Sequence, residues 1–123
     1  MTTKAFKKYQ RLLLASDYQN VFNNVEFKTG GSYLLTLSCK NQLPHGRLGL
    51  AISKKHLKKA VNRNRLKRLI RASFQQNQAQ LVNLDIVVLL RNDRSRTATN
   101  QEINQELEYL WQQLLKKIEK SMS

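Results

Sequence analysis

The sequence predicts an α/β sandwich of the α+β class, with one mixed sheet and the element order α-β-β-β-α-β-α. Three observations carry this. "YLLTLSC" and "RLGLAIS" alternate at the period of two that a strand with two unlike faces requires. "RLKRLIRASF" and "INQELEYLWQQLLKKI" repeat their apolar residues at the helical period. Between them, "LDIVVLLR" is almost continuously apolar, as befits a strand covered on both faces. A chain of 123 residues, 41% of them hydrophobic, suffices for one core. We divide it into a basic, partly ordered arm over residues 1–10 and a single domain over residues 11–120.

The elements follow in order. Ser16-Asp17 is an N-cap signal ahead of "YQNVF", where Tyr18, Val21 and Phe22 fall at helical spacing. Val25 to Thr29 reads as a strand closed by the turn signal Gly30-Gly31. In the next strand Tyr33, Leu35, Leu37 and Cys39 share one face, and Leu34, Thr36 and Ser38 the other. "NQLPHG", with the only proline, is a turn, after which Leu48, Leu50 and Ile52 line one face of a third strand. Three antiparallel strands fit this run. A helix then starts near Lys58, with Leu66, Leu69, Ile70 and Phe74 on one arc. Asn64, Arg65, Lys67, Arg68 and Arg71 lie on the opposite arc, with Arg63 at the boundary. After the apolar strand, "NDRSRTATN" is a loop, and Thr99 with Glu102 forms a capping box. Ile103, Leu107, Leu110, Trp111, Leu114 and Ile118 make the core stripe of the last helix.

Charge separates the middle of the chain from the rest. The net charge is +14, and no acid occurs between Glu26 and Asp85. Nine Lys or Arg residues fall between Lys54 and Arg71. Like charges three or four apart, such as Lys59–Arg63, Arg63–Lys67 and Lys67–Arg71, each cost roughly 0.2–0.5 kcal/mol. Five such pairs cost about 1–2.5 kcal/mol before screening, with no acid nearby to offset it. Arginine forks suit phosphate oxygens, and Asn64 between two arginines adds an amide for sugar or base edges. This points to a nucleic-acid surface. A strand precedes the basic helix where a helix-turn-helix would need a helix. An anionic membrane is a poorer fit, because the apolar arc of the helix is required for the core.

Other chemistries lack residues. Asp17, Glu26, Asp85 and Asp93 are scattered, so no two-metal nuclease motif appears. His45 and His56 have no cysteine pair to complete a zinc site. Cys39 is alone and reads as a buried strand residue, in keeping with a reducing compartment. With no secretory h-region and no membrane-length apolar run, a cytoplasmic location is expected.

"RLGLAISKKHLKKAVNRNRLKRLIRASF" resembles the bacterial ribonuclease P protein subunit. The pattern runs through Arg47, Gly49, Leu50, Lys54, Lys55, Ala60, Val61, Arg63, Asn64, Arg65, Lys67, Arg68 and Arg71. "RLLLASDYQNVF" upstream and "DIVVLLR" downstream are similar to flanking family segments, so the resemblance covers about Arg11 to Arg91. It implies a left-handed β-α-β crossover, against the usual right-handed preference. It also implies a monomeric subunit, one per catalytic RNA, of a ribonucleoprotein that removes the 5′ leader of precursor tRNA by Mg²⁺-dependent hydrolysis. The RNA carries the catalytic site and most of the metal, and the protein carries no catalytic residue.

By position, Lys54, Lys55, Lys59, Arg63, Asn64, Arg65, Lys67, Arg68 and Arg71 would face that RNA. Tyr18 and Phe22, with Thr36 on the open face of the sheet, would meet the leader. Replacing Arg65 or Arg68 by alanine is expected to weaken RNA binding with little loss of fold. The chain departs from the pattern at Thr36, where many members have an aromatic. It also has Ala72 in place of a frequent acid and Lys58 in place of a frequent glycine. The alternative reading is a structured-RNA-binding protein, such as a ribosome-associated one, with no part in an enzyme.

Overall fold

The computed structural model describes residues 6–122. The elements are α1 (Ala15–Asn23), β1 (Phe27–Gly30), β2 (Leu34–Lys40), β3 (Arg47–Ala51), α2 (Ala60–Gln76), β4 (Leu84–Leu90) and α3 (Asn100–Met122). Short 3-10 turns cover Lys8–Gln10 and Arg94–Thr97. The order is the one expected, and the four strands form one mixed sheet in the order β1-β2-β4-β3.

The pairing differs from three consecutive antiparallel strands. β1 and β2 form an antiparallel hairpin, but β4 inserts between β2 and β3, antiparallel to β2 and parallel to β3. The reason lies in β4 itself. Ile86, Val87 and Val88 are fully buried, so the strand needs cover on both faces and a partner on both edges. The centre of the sheet supplies all of these, and β3 becomes an edge strand.

That edge is covered. The Leu12 N–H donates to the Leu48 carbonyl at 3.0 Å, and the Leu50 N–H donates to the Tyr18 hydroxyl at 3.1 Å. Both satisfy backbone groups that an open edge would leave free. Tyr18 can approach because β3 has glycine at position 49, where a Cβ would stand 2.7 Å from the Tyr18 ring.

α2 and α3 pack on one face of the sheet. Leu66, Ile70 and Phe74 from α2 meet Ile103, Leu107, Leu110, Trp111 and Leu114 from α3 over Leu34, Leu48, Ile86 and Val88. The Phe74 and Trp111 rings meet edge-on at 6.3 Å, and the Trp111 Nε1–H donates to Ser73 Oγ at 2.8 Å. Each fully buried large side chain here stabilises by about 1.5–3 kcal/mol relative to exposure. α1 packs on the other face, where Leu12 and Val21 meet Cys39 and Val87. Burial, and then Asp85 nearby, push the Cys39 thiol above its ordinary pKa.

Carboxylates hold these elements by their backbone donors. Glu106 of α3 accepts the N–H groups of Ser32, Tyr33 and Leu34, at 2.6, 2.9 and 2.7 Å, in the β1–β2 turn. Thr99 and Glu102 form the expected capping box. These bonds, with one from the Tyr33 hydroxyl, hold the Glu102 carboxyl below its usual pKa. α1 is capped differently from the expectation. Its N-cap is Leu14, and Asp17, three residues on, accepts the Leu14 N–H at 3.0 Å.

Part of the expected arm is docked. Residues 1–5 lie outside the described residues, but Phe6 packs edge-on against Phe74 at 5.9 Å. Gln10 is buried and bonds to Gln75 and Gln78. The packed domain thus begins no later than Phe6. Replacing Glu106 by Gln removes charge-assisted bonds to three backbone donors and should lower stability by about 1.5–3 kcal/mol. Chemical denaturation checks this, with loss expected at an unchanged m-value.

Candidate nucleic-acid interface

The basic segment begins in a turn, not in a helix. Ser53 Oγ accepts the Lys55 N–H at 3.0 Å, and the Leu57 N–H donates to the Ser53 carbonyl at 3.0 Å. Leu57 is buried and pins the turn to the core. Lys54, Lys55, Lys58 and Lys59 are thereby left exposed. α2 follows from Ala60, with its apolar arc buried as expected.

The cations of α2 divide by role. Arg63 donates from Nη1 to the carbonyls of Leu57 and Lys58, at 2.8 and 2.7 Å, and so fastens the turn. Arg65 reaches across to the segment before α3. It donates to Asn100 Oδ1 at 2.7 Å, to the Ala98 carbonyl at 2.5 Å and to the Ser95 carbonyl at 3.4 Å. These bonds argue against the expectation that Arg65→Ala costs little of the fold: the guanidinium joins α2 to the start of α3. The helical period placed Arg65 on the outer arc, but only the tertiary path of the β4–α3 connection puts carbonyls within its reach. Asn64 and Arg68 are exposed, whereas Lys67 and Arg71 are half-buried on the flank facing the N-terminal segment.

No α2 cation has a carboxylate partner among the described residues. The salt bridges centre instead on Arg47, paired to Asp85 at 2.7 Å and to Asp17 at 3.9 Å. The Asp85 bonds raise the Arg47 pKa further. No group of three His, Cys, Asp or Glu side chains converges among the described residues.

Topology adds residues that sequence reading did not select. β3 and β4 are parallel, so the chain leaves both at the same end of the sheet. The turn after β3 and the connection after β4 consequently face each other across a concavity of about 740 Å³. Lys55, Lys58 and Lys59 line one wall, and Arg91 and Arg96 line the other, with Asp93 the single acid. "NDRSRTATN" was visible as a loop, but the placement of Arg96 opposite the lysines depends on the parallel register.

On the opposite face, α1 leaves part of the sheet uncovered. Leu35, Leu37 and Leu89 are half-buried there, and Phe22 is 39% exposed. Tyr18 lies beside them, with its hydroxyl engaged by Leu50. Thr36 does not belong to this face. It is fully buried beneath the α2–α3 layer, hydrogen-bonded to Thr29 Oγ1 at 2.5 Å. The expectation for Thr36 is thus corrected: alternation puts Leu35 and Leu37 on the open face and Thr36 on the closed one.

Comparison with known proteins bears on this arrangement. The family model for ribonuclease P matches residues 6–115. The ribonuclease P protein component of Pseudomonas aeruginosa is 44% identical over 116 residues, 94% of this chain and 85% of that protein. That of Vibrio parahaemolyticus is 43% identical over 114 residues, 93% of this chain and 95% of that protein. Among solved structures, the RNase P protein of Staphylococcus aureus superimposes with a TM-score of 0.76 at 28% identity, covering 84% of this chain and 93% of that one. The RNase P protein of Thermotoga maritima gives 0.71 at 29%, covering 83% and 96%. Sequence and fold thus agree, and the chain belongs to the ribonuclease P protein family, whose members are the protein component of an RNA-processing enzyme.

Proposed function

We propose that this chain is the protein subunit of a cytoplasmic ribonucleoprotein that removes the 5′ leader of precursor tRNA, with the hydrolysis performed by the RNA. The observation that carries this is the acid-free cation display of α2, fixed by burial of its other arc. Lys54, Lys55, Lys59, Asn64 and Arg68 would meet phosphates and sugars of the catalytic RNA. Lys67 and Arg71 extend that surface along the flank, and Arg63 and Arg65 hold it in shape. The facing walls of Lys58, Arg91 and Arg96 would add phosphate contacts.

The uncovered sheet would take the single-stranded leader, with Phe22 and Tyr18 beside Leu35, Leu37 and Leu89 as an apolar platform for unpaired bases. Mg²⁺ belongs to the RNA in this scheme, and the protein acts on the charge around it. The protein's contribution is to neutralise RNA charge near the cleavage site, so less Mg²⁺ is needed to hold enzyme and substrate together. One protein monomer serves one RNA.

Single-turnover cleavage of a precursor tRNA at low Mg²⁺ tests this, using the cognate catalytic RNA with and without the protein. Stimulated cleavage at the mature 5′ end is expected, with none from protein alone. Absence of stimulation, with RNA binding retained, would favour a structured-RNA-binding protein outside the enzyme.

The division of α2 cations gives a second expectation. Arg68→Ala should leave Tm unchanged and weaken binding to the catalytic RNA roughly three- to tenfold. Arg65→Ala should lower stability by about 1–3 kcal/mol, because carbonyls near α3 lose their donor. Thermal melts and filter binding on both variants separate the two roles.

A further inference from the structure

A second concavity lies on the flank of α2 away from α3; Tyr18, Lys67 and Arg71 on its border have roles in the scheme above, but the concavity itself has none. It measures about 330 Å³ and lies between the N-terminal segment, the start of α1, the edge of β3 and α2. That is the small end of the range for ligand clefts. Leu12, Leu48 and Leu50 form its apolar base. Tyr18 closes one side, held by its bond to the Leu50 N–H.

Three cations border the groove and no acid does: Arg11, Lys67 and Arg71. Arg11 is held in place, with its guanidinium 5.0 Å from the centre of the Phe6 ring and bonded to the Phe6 carbonyl at 3.4 Å. Arg71 is half-buried, and its Nε is enclosed without a hydrogen-bond partner. An anionic oxygen in the groove would meet the terminal nitrogens of the guanidinium and partner its charge. Leu13, at the mouth, is 54% exposed although it is a large apolar side chain.

An apolar base with an aromatic side and a cationic border suits a ligand that is flat and apolar at one end and anionic at the other. We propose that this groove binds one nucleotide of single-stranded RNA, its base against Leu12, Leu48, Leu50 and Tyr18 and its phosphate against Lys67 and Arg71. The inference rests on the RNA-binding reading of α2 and extends it to an unpaired nucleotide beside the helix. A duplex does not fit a space of this size walled on three sides. The base is recognised by its apolar face, so sequence preference at this position should be weak.

The test is NMR of the full chain, with leucine methyls and arginine Nε–H groups labelled, titrated with a single-stranded five-nucleotide RNA. The methyls of Leu13, Leu48 and Leu50 and the Arg71 Nε–H should shift together and saturably. The Lys67→Gln/Arg71→Gln double variant should weaken the oligonucleotide at least fivefold. Should that variant fold poorly, Leu13→Ser, at an exposed position, should weaken it about two- to threefold at an unchanged Tm. Shifts confined to Leu35, Leu37 and Leu89 would overturn the proposal while leaving RNA binding intact. The same shifts produced in full by inorganic phosphate would also overturn it, since no base would then be needed. If neither the oligonucleotide nor the catalytic RNA binds, the reading beneath the proposal fails as well.

Discussion

The structure depends on where its few acids are placed. Eight Asp and Glu residues face twenty-two Lys and Arg, and most of the eight are bound to groups other than α2. Asp17 caps α1, Glu26 accepts the Lys40 N–H, and Glu102 caps α3. Glu106 fastens the β-hairpin to α3, Glu108 accepts from Asn77, and Asp85 holds Arg47 and Asn41. The carboxylates that could have neutralised the basic helix instead secure turns, caps and the α1–sheet junction. The helix keeps its self-repulsion, and the core tolerates it because Leu66, Ile70 and Phe74 are fully buried. The field of unpaired charge is thus a fixed surface and not a loose tail.

Strand β4 determines how that surface is deployed. Its central position places parallel β3 beside it, and the intervening α2 crosses one face of the sheet. The same parallel pairing brings the lysines after β3 opposite the arginines after β4. α1, on the other face, leaves the Leu35 and Leu89 region open while Tyr18 closes the β3 edge. The basic helix is therefore flanked by two concavities, and the uncovered apolar platform lies on the reverse of the sheet. In the proposed scheme this small domain would meet a large folded RNA along one helix and an unpaired strand elsewhere.

The elements were legible because local periodicity reports them. The alternation of "YLLTLSC" and the helical stripe ending at Ile118 each survive in the structure as an element of the expected type. Strand order was not legible. It reflects competition for the sheet centre, which β4 wins by having no polar face, and consecutive strands with turn signals look alike whether or not a later strand inserts. Faces were legible in pairs but not in identity. Leu34 and Leu35 both carry apolar bulk, so alternation alone could not say that Thr36 lies beneath the helices. A threonine is tolerated there because Thr29 satisfies its hydroxyl. For the site, the helical arc of Asn64 and Arg68 was readable, whereas the bonding of Arg65 and the docking of Gln10 depend on contacts tens of residues away. The family resemblance supplied RNA as the partner, where charge alone did not decide between RNA and DNA.

We propose that RNA phosphate is the counter-charge missing from α2. The most direct test is the affinity of the protein for its catalytic RNA as monovalent salt is raised at fixed Mg²⁺. If about four of the basic-segment cations displace counterions, log affinity should fall against log salt with a slope of about −3 or steeper. A slope near zero, with binding still tight, would contradict the account and place the affinity in apolar contacts.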